Sequence, residues 1–340
     1  MHLGRKYTFA QFVRWTGWEA VYLIGWSLII TAFLQVSQWN FLTVPAPVLA
    51  IIGSALAIII GFKNAQCYAR FNEALVLAGQ LISNSLILAN RLKSYVGKPG
   101  VAHSGDDLRA LYYRHLAWLT ALRFILRERK PWENAAERGN AWFLAKMATP
   151  ESRSNLADEL RTYLPADEVE QVMSYDGDRP SLILRSQYTY IDQIYIDGRI
   201  SEYVLLMLIA PLDELTRLQG SLMRIKNYPY ARNFYSVAVF LVIIFVGLVP
   251  FGIYPLTREL GESAAIADWT VWLNVPFSAV VGWIFVSLEK VGENSSNPFE
   301  GGANDVPISS ITRRIEIELR NMLGEDPDIK AMDAKDNILF

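Results

Sequence analysis

The pattern of apolar and polar positions changes abruptly within residues 44–70. Residues 44–62 carry no charge, and at 1.5 Å per residue they extend about 28 Å, the thickness of the hydrocarbon core of a bilayer. The middle of this stretch consists largely of small residues, which let neighbouring helices approach closely. These small residues are Gly53, Ser54, Ala55 and Ala57. The pattern predicts a membrane-spanning helix with close neighbours.

Beyond this span, the chain continues as an amphipathic helix. No helix stop follows Gly61 or Phe62, and apolar residues recur at spacings of three and four, as one buried helix face requires. The apolar positions are Phe71, Leu75, Leu77, Leu81, Ile82, Leu86 and Leu88. The span is therefore predicted to run on into a water-exposed domain. Two separate helices with a break near Lys63 remain the alternative.

Three further apolar stretches bring the predicted number of spans to four. They are residues 18–36, 234–256 and 269–288, each long enough to cross a bilayer as a helix. Pro250 and Pro276 fall inside the last two stretches, so both are predicted to kink their helices. Ahead of the first span, the basic and aromatic N-terminal residues form either a helix at the membrane surface or a lead-in to that span.

The region between the second and third spans has helical periodicity almost throughout and no convincing alternating strand, which predicts an all-α fold. Helices are predicted near residues 106–130, 133–148, 155–163, 181–197 and 201–227. A strong turn signal separates the last two from what precedes them, at residues 175–180. The tail is predicted to hold a helix near 309–322, followed by an extended or poorly ordered arm over 324–340. The predicted divisions of the chain are 1–17, 18–62, 63–233, 234–288 and 289–340.

Composition agrees with a membrane protein that has a large soluble portion. The 340 residues are 52% hydrophobic and 19% charged, which is too apolar for an ordinary soluble protein and too charged to lie wholly in lipid. The net charge of −2 provides no basic footprint for nucleic acid. The single cysteine, Cys67, excludes an internal disulfide and a cysteine-based metal cage, and is predicted to serve as a small packing residue.

The distribution of basic residues predicts the orientation in the membrane. They gather in the N-terminal segment, in residues 63–233 and in the tail, whereas the connections at 37–43 and 257–268 hold only Arg258. By the positive-inside rule, both termini and the helical domain are expected on the cytoplasmic side of the cell (inner or plasma) membrane. The expected environment is therefore a multi-pass position in the lipid bilayer.

The sequence contains little that resembles catalytic machinery. It has no phosphate-binding glycine loop, no paired histidines on a helix and no nucleophile elbow, so we predict no enzyme, no catalytic residue, no cofactor and no bound metal. The spans also lack ionisable residues except Glu19 at an edge, whereas ion-coupled transporters usually place such a group at mid-membrane. A passive pore formed by an oligomer fits better. A membrane scaffold and a coupled transporter remain the alternatives.

Three motifs together carry a resemblance to a known family. They are GFKNAQCYARFNEA at 61–74, DGRI at 197–200 and NPF at 297–299. In order and spacing, over most of residues 5–315, the chain resembles the bestrophin ion channels, bacterial branch. The resemblance implies an all-α integral membrane protein with four spans per subunit and a large cytosolic helical domain. It also implies assembly as a homopentamer that passes small monovalent ions.

The resemblance also implies which residues line the ion path. Its apolar neck in the second span falls on Ser54, Ile58 and Phe62, which are four residues apart and so share one stripe of a helix. A deeper, cytosolic constriction falls on Val204. Lipid contact or helix packing is the alternative role for Ile58 and Phe62, and core packing is the alternative for Val204. Asp197 and Glu202 are candidate vestibule charges near this constriction.

Two departures from the family pattern affect the expected function. Ser54 is polar, and Ile58 replaces the phenylalanine of animal members, so the neck loses the ring edges that favour anions. Residues 185–220 hold five acids against three arginines, which favours monovalent cations such as sodium, with chloride as the alternative. The second departure is the small number of acids after the NPF motif. We therefore predict that calcium is not required, with a weak site near Glu300 and Asp305 left open.

Overall fold

The structure is a computed structural model that describes residues 1–97, 104–134, 147–263, 268–325 and 329–340. Within these ranges the chain is helical, with two isolated antiparallel bridges at the ends of the chain. The α-helices are α1 Phe9–Ser37, α2 Ala46–Tyr95, α3 Ser104–Arg127, α4 Pro150–Arg153, α5 Leu156–Leu160, α6 Ala166–Ser174, α7 Arg179–Ile196, α8 Glu202–Asn227, α9 Arg232–Ser263, α10 Asn274–Ser295 and α11 Ile308–Leu323. The helix predicted over 133–148 lies mostly outside the described residues.

Among the described residues, four helices are long and apolar enough to cross a membrane, as predicted: α1, α2, α9 and α10. Helix α1 packs against α10, and α10 packs against both α2 and α9. Helix α1 begins at a capping box, in which the Thr8 hydroxyl accepts the Gln11 N–H and the Gln11 side chain accepts the Thr8 N–H. Because α1 runs on unbroken from Phe9, residues 9–14 continue directly into the first candidate span, Trp15–Ser37.

Helix α2 is continuous from Ala46 to Tyr95, which confirms that the second span runs on past Lys63. Its 50 residues correspond to about 75 Å, far more than a bilayer needs. Pro47 lies in its first turn, where a missing N–H costs nothing. We call residues 46–62 the membrane half of α2 and residues 63–95 its distal half.

The distal half of α2 packs with α3, α7, α8 and α11 around one large apolar core. We call this group of helices the helical block. Several buried polar groups in the block are bonded across helices. Trp118 Nε1 of α3 donates to Gln219 Oε1 of α8 at 2.7 Å, and Gln219 Nε2 donates to Asp178 Oδ2 at 2.7 Å. These hydrogen bonds help to specify how the three segments dock, since breaking them would leave buried polar atoms unpaired, which is costly.

The prolines of the last two spans behave differently from one another. Pro250 lies inside α9, as predicted, and so does Pro255. Pro255 has no N–H to offer the Phe251 carbonyl, and the Val44 N–H donates to that carbonyl instead at 3.2 Å. Pro276 also falls within its span, as predicted. It lies in the first turn of α10, after a 3₁₀ segment, Asp268–Leu273, where proline is compatible with helical geometry.

The predicted arm at the end of the tail is attached to the rest of the molecule. Residues 329–340 include a tight turn at 335–338, and their end pairs with the start of the chain. Leu3 N–H donates to Asn337 O at 2.7 Å, and Leu339 N–H donates to Met1 O at 2.9 Å. Between them, Ile338 is buried. The short helix α6, which follows Pro165, was not predicted.

Candidate functional site

The candidate neck residues lie on one uncovered stripe of the membrane half of α2. Ile58 is 60% exposed and Phe62 is 70% exposed, and Ser54 is exposed as well. The opposite face of the helix carries Leu56 and Ile60, which are buried against α9. One face of this helix is therefore packed within the chain, while the other leaves large apolar side chains uncovered.

The polar character of Ser54 is partly masked. Its hydroxyl donates to the Ala50 carbonyl at 2.8 Å, within the same helix. A serine bonded in this way presents mainly its Cβ methylene and one lone-pair face to the surroundings. The departure from an apolar neck is therefore smaller than the residue type suggests.

The GFKNAQ motif joins α2 to α10 directly below the stripe. Lys63 is only 2% exposed; its ammonium pairs with Glu289 of α10 and lies 4.5 Å from the centre of the Tyr235 ring of α9. Next to it, Asn64 Nδ2 donates to the Leu288 carbonyl at 2.8 Å. The two helices approach so closely here that a Cβ at Gly292 would clash with the Asn64 side chain. From sequence, this motif is recognisable only as a family signature, and the buried ion pair was not predicted.

Two further contacts fix the far end of α8 against its neighbours. Arg70 of α2 donates to the Ile225 and Tyr228 carbonyls, so a cation caps the C-terminus of α8, where carbonyls lack intrahelical partners. In addition, Lys226 of α8 forms a buried ion pair with Glu133. These contacts were not predicted from the sequence either, because the residues that form them are far apart in the chain.

The DGRI motif forms the turn between α7 and α8. Gly198 has a φ of +68°, which favours glycine, and the N–H groups of Gly198 and Arg199 donate back to carbonyls of the last turn of α7. The Arg199 guanidinium pairs with the buried Asp107 of α3 and, at 2.9 Å, with Asp197. This motif thus stops one helix, anchors the turn to α3 and starts the next helix.

Val204 lies in the first turns of α8 and is half-buried, packed against the apolar core of the block. Its N–H donates to the Oγ of the helix cap Ser201 at 3.4 Å. Two neighbours are more exposed than Val204: Tyr203 at 68% and Leu206 at 61%. The candidate vestibule acids Asp197 and Glu202 are exposed at the same end of α8. Exposure alone therefore does not distinguish which of these residues narrows a path.

The NPF loop is held by internal hydrogen bonds. Phe299 is buried in the block, and the Pro298 carbonyl accepts the Val306 N–H at 2.9 Å. Asp305 Oδ2 accepts the Gly301 and Gly302 N–H groups at 2.6 and 2.9 Å. The acids that would be expected to bind a cation are thus engaged by the protein itself.

The charges in this loop are shaped by burial. Burial, reinforced by the negative charge of Asp305, raises the pKa of Glu300 to about 8. Burial also raises the pKa of Asp305, against the effect of Arg127, whose Nη1 lies 3.8 Å from Asp305 Oδ2. Across the described ranges, no group of three or more His, Cys, Asp or Glu side chains could hold a metal ion.

A small polar cavity of about 30 Å³ lies in the helical block, between α3, α5 and α11. Its lining includes Arg123, Tyr163 and Glu316, and the Tyr163 hydroxyl donates to Glu316 Oε1 at 2.8 Å. A space of this size holds one or two water molecules. It is too small for a metabolite.

Comparisons with known proteins bear on the site as a whole. A family model described as Bacterial/Fungal Bestrophin protein matches residues 16–321. The voltage-dependent anion channel-forming protein YneE of Salmonella typhi is 24% identical over 314 residues, which cover 91% of this chain and 87% of that protein. RSc3414 of Ralstonia nicotianae, which has the same descriptive name, is 25% identical over 277 residues, covering 81% of this chain and 76% of that protein.

Solved structures show the same fold. The crystal structure of a bacterial bestrophin homolog from Klebsiella pneumoniae matches with a TM-score of 0.73 and 21% sequence identity. The match covers 91% of this chain and 99% of that chain. A variant of that Klebsiella pneumoniae protein, in which one tyrosine is replaced by alanine, also matches with a TM-score of 0.73.

Proposed function

The chain belongs to the bacterial and fungal bestrophin family, and on that premise we propose that it forms an ion channel, not an enzyme, which lets small monovalent ions cross the membrane passively. The observation that carries the proposal is the uncovered stripe of Ser54, Ile58 and Phe62 on the membrane half of α2. These side chains offer no charge to bind an ion. A ring of them works as a hydrophobic constriction that conducts when wetted and blocks when dry.

We propose a homopentamer in which α2 of each copy faces the central axis. The described residues of a single copy hold four candidate spans, too few to enclose a pore of its own, so the path lies between copies. Val204 forms a second constriction at the start of α8, with Asp197 and Glu202 in the vestibule beside it. The exposed apolar residues of α2 that do not face the axis are then covered by neighbouring copies or by lipid.

Both termini and the helical block are proposed to lie in the cytoplasm. A cysteine at Ser37, the last residue of α1, should react with an impermeant thiol reagent added outside, in a background without Cys67. A cysteine at Ser174, the exposed end of α6, is the matched control and should be protected. Protection at Ser37 would contradict this topology.

We propose that monovalent cations such as sodium pass more readily than anions. Of the five acids in residues 185–220, Asp197 and Glu214 pair with arginines at about 3 Å, while Asp192, Glu202 and Asp213 remain exposed to solvent. That excess of negative charge enriches cations near the path. Anion selectivity is the second candidate, and it is favoured by the names of the curated relatives, which are described as anion channel-forming.

We also propose that opening does not require calcium. A tight calcium site needs six to eight oxygen ligands, whereas Asp305 is occupied by two backbone N–H groups and lies beside Arg127. Neutral Glu300, favoured by its raised pKa, is also a poor ligand. Currents that vanish with a chelator and return with micromolar calcium would contradict the proposal.

The deciding experiment is reconstitution of the purified protein into lipid vesicles, with ion flux and the reversal potential in a salt gradient as readouts. Passive, non-saturating flux supports the channel, saturable coupled flux supports a transporter, and no flux supports a scaffold. A reversal potential near the chloride equilibrium value would overturn the cation preference. Ile58→Ala should change conductance, whereas Ile60→Ala, on the buried face of the same helix, should lower stability instead.

A further inference from the structure

Helix α8 contains a proline that breaks its internal hydrogen bonding. Pro211 lies inside the helix and is buried. Proline has no N–H, so the Met207 carbonyl, four residues earlier, loses the donor that a regular helix would supply. A buried carbonyl without a donor is costly, and in a stable helix another group must supply one.

The donor comes from α2. Arg91 Nη1, near the distal end of that helix, donates to the Met207 carbonyl at 2.6 Å. A guanidinium is a charged donor and forms a stronger hydrogen bond to a carbonyl than a neutral amide does. Pro211 of α8 and Arg91 of α2 therefore act together at one contact between the two helices. We call this contact, with the Met207 carbonyl, the joint.

The joint is close to the residues that are candidates for the deeper constriction. Val204, Tyr203 and Leu206 all lie on the N-terminal side of Met207, within the first turns of α8. That segment is held at its start by the Ser201 cap and at its end by Arg91. Since proline weakens the helix between this segment and the rest of α8, the bond from Arg91 helps to fix the direction of the segment, beside the packing of Val204 and Leu205 on the core.

We infer that Arg91 is a positioning residue for the ion path: by bonding to the carbonyl that Pro211 leaves free, it fixes the first turns of α8 and with them the width of the constriction. The inference rests on the proposed channel function. It also joins the two ends of the path. Arg91 lies 33 residues beyond Ile58 on the same continuous helix, about 50 Å along its axis.

The test is a cycle of four proteins: wild type, Arg91→Met, Pro211→Ala and the double variant. Alanine at position 211 restores an N–H that can bond to the Met207 carbonyl, which makes Arg91 redundant. The readout is the permeability to a large organic ion relative to a small ion of the same sign, in vesicles. We expect Arg91→Met to change this ratio several-fold in the wild-type background and to change it far less in the Pro211→Ala background.

Two outcomes would overturn the inference. One is an unchanged ratio in Arg91→Met, and the other is an equal change in both backgrounds. Arg91→Lys, which keeps a charged donor, should restore part of the wild-type ratio. If Arg91→Met fails to assemble, the comparison of Arg91→Lys with and without Pro211→Ala gives the same test.

Hydrogen–deuterium exchange separates this inference from the channel proposal. Arg91→Met should speed amide exchange in the segment 203–210 in the wild-type background, and Pro211→Ala should suppress that effect. Wild-type vesicles that do not conduct would refute the channel function while leaving the exchange result to judge the joint. Conducting vesicles with no change in exchange or in the permeability ratio would refute the joint alone.

Discussion

The two halves of α2 belong to one unbroken helix but are packed in different ways. The distal half packs on the other helices of the helical block through both small and large apolar residues. The fully buried ones are Cys67, Ala74, Ala78, Leu81, Leu88, Ala89 and Leu92. The membrane half is packed on one face only, and its other face leaves Ile51, Ile58 and Phe62 uncovered.

This difference distinguishes the apolar helix surface that a single chain covers from the apolar surface that it leaves uncovered. The distal half buries most of its apolar surface within the chain, although Tyr68, Val76 and Ile87 stay exposed. The membrane half has an apolar stripe that the chain does not cover, in a segment that is already paired with α9 and α10 on its other side. Lys63 marks the boundary between the two halves, since it is buried and paired at the point where packing changes.

The largest expected effect comes from breaking that boundary. Lys63→Met leaves Glu289 as a buried charge without its partner, which should cost about 3–5 kcal/mol of unfolding free energy. The measurement is the denaturation midpoint in detergent. The double variant Lys63→Met/Glu289→Leu should recover much of the loss, because no charge is then left uncompensated. A single variant as stable as the wild type would show that this pair does not join the halves.

The next test applies one kind of substitution to each half. Leu81→Ala creates a cavity in the block and should cost about 2–5 kcal/mol. Ile58→Ala removes atoms that are already exposed and should change stability by only about 0.5 kcal/mol, while it alters conductance. The same denaturation midpoints report both. Equal destabilisation would mean that Ile58 is a packing residue and not part of the neck.

A smaller effect concerns pH. Because the folded protein raises the pKa of Glu300 from 4.5 to about 8, it holds that proton more tightly than the unfolded chain does. The contribution of Glu300 to stability is therefore complete below pH 4.5 and is lost as pH rises towards 8. Glu300→Gln cannot lose a proton, so its stability relative to wild type should rise across this range. Denaturation midpoints at several pH values check this, with Glu318→Gln, an exposed glutamate of α11, as the control. A difference that falls with pH would contradict the assignment.

The smallest expected effect is at the N-terminal end of α8. Val204→Ala should modestly raise permeability to large organic ions, since it widens a ring without removing much buried surface. Leu206→Ala is the matched variant, because Leu206 is the more exposed of the two. Vesicle permeability to organic ions of graded size checks both. A rise in Leu206→Ala alone would place the constriction at Leu206 and assign Val204 to the core.

Local pattern predicted the features that depend on neighbours in sequence. The absence of a stop after Phe62 predicted the continuous helix, and the spacing of four placed Ser54, Ile58 and Phe62 on one stripe. Helices α3, α7, α8 and α11 also lie close to their predicted bounds. The sequence placed Pro276 in the fourth span but not in the first turn of its helix, because a proline in an apolar run does not reveal whether it starts a helix or interrupts one.

Features that join distant segments could not be predicted in the same way. Nothing local to Lys63 indicates Glu289, and nothing local to Arg91 indicates the carbonyl beside Pro211. A lysine or arginine within an otherwise apolar helix face is a usable signal that some buried partner exists. Which partner it is depends on the packing of α2 against α8 and α10, and that packing is a property of the whole fold.

The pairing of the two ends of the chain has a consequence for the order in which the molecule forms. Leu3 and Asn337 are separated by nearly the whole sequence, so the ribosome must release almost every residue before they can meet. At typical elongation rates, synthesis of residues 3–337 takes roughly 17–67 s, and the first residues wait without their partners for that time. Helix α1, which begins at Phe9, can form early, but residues 1–3 attach to residues 337–339 only after those residues have left the ribosome.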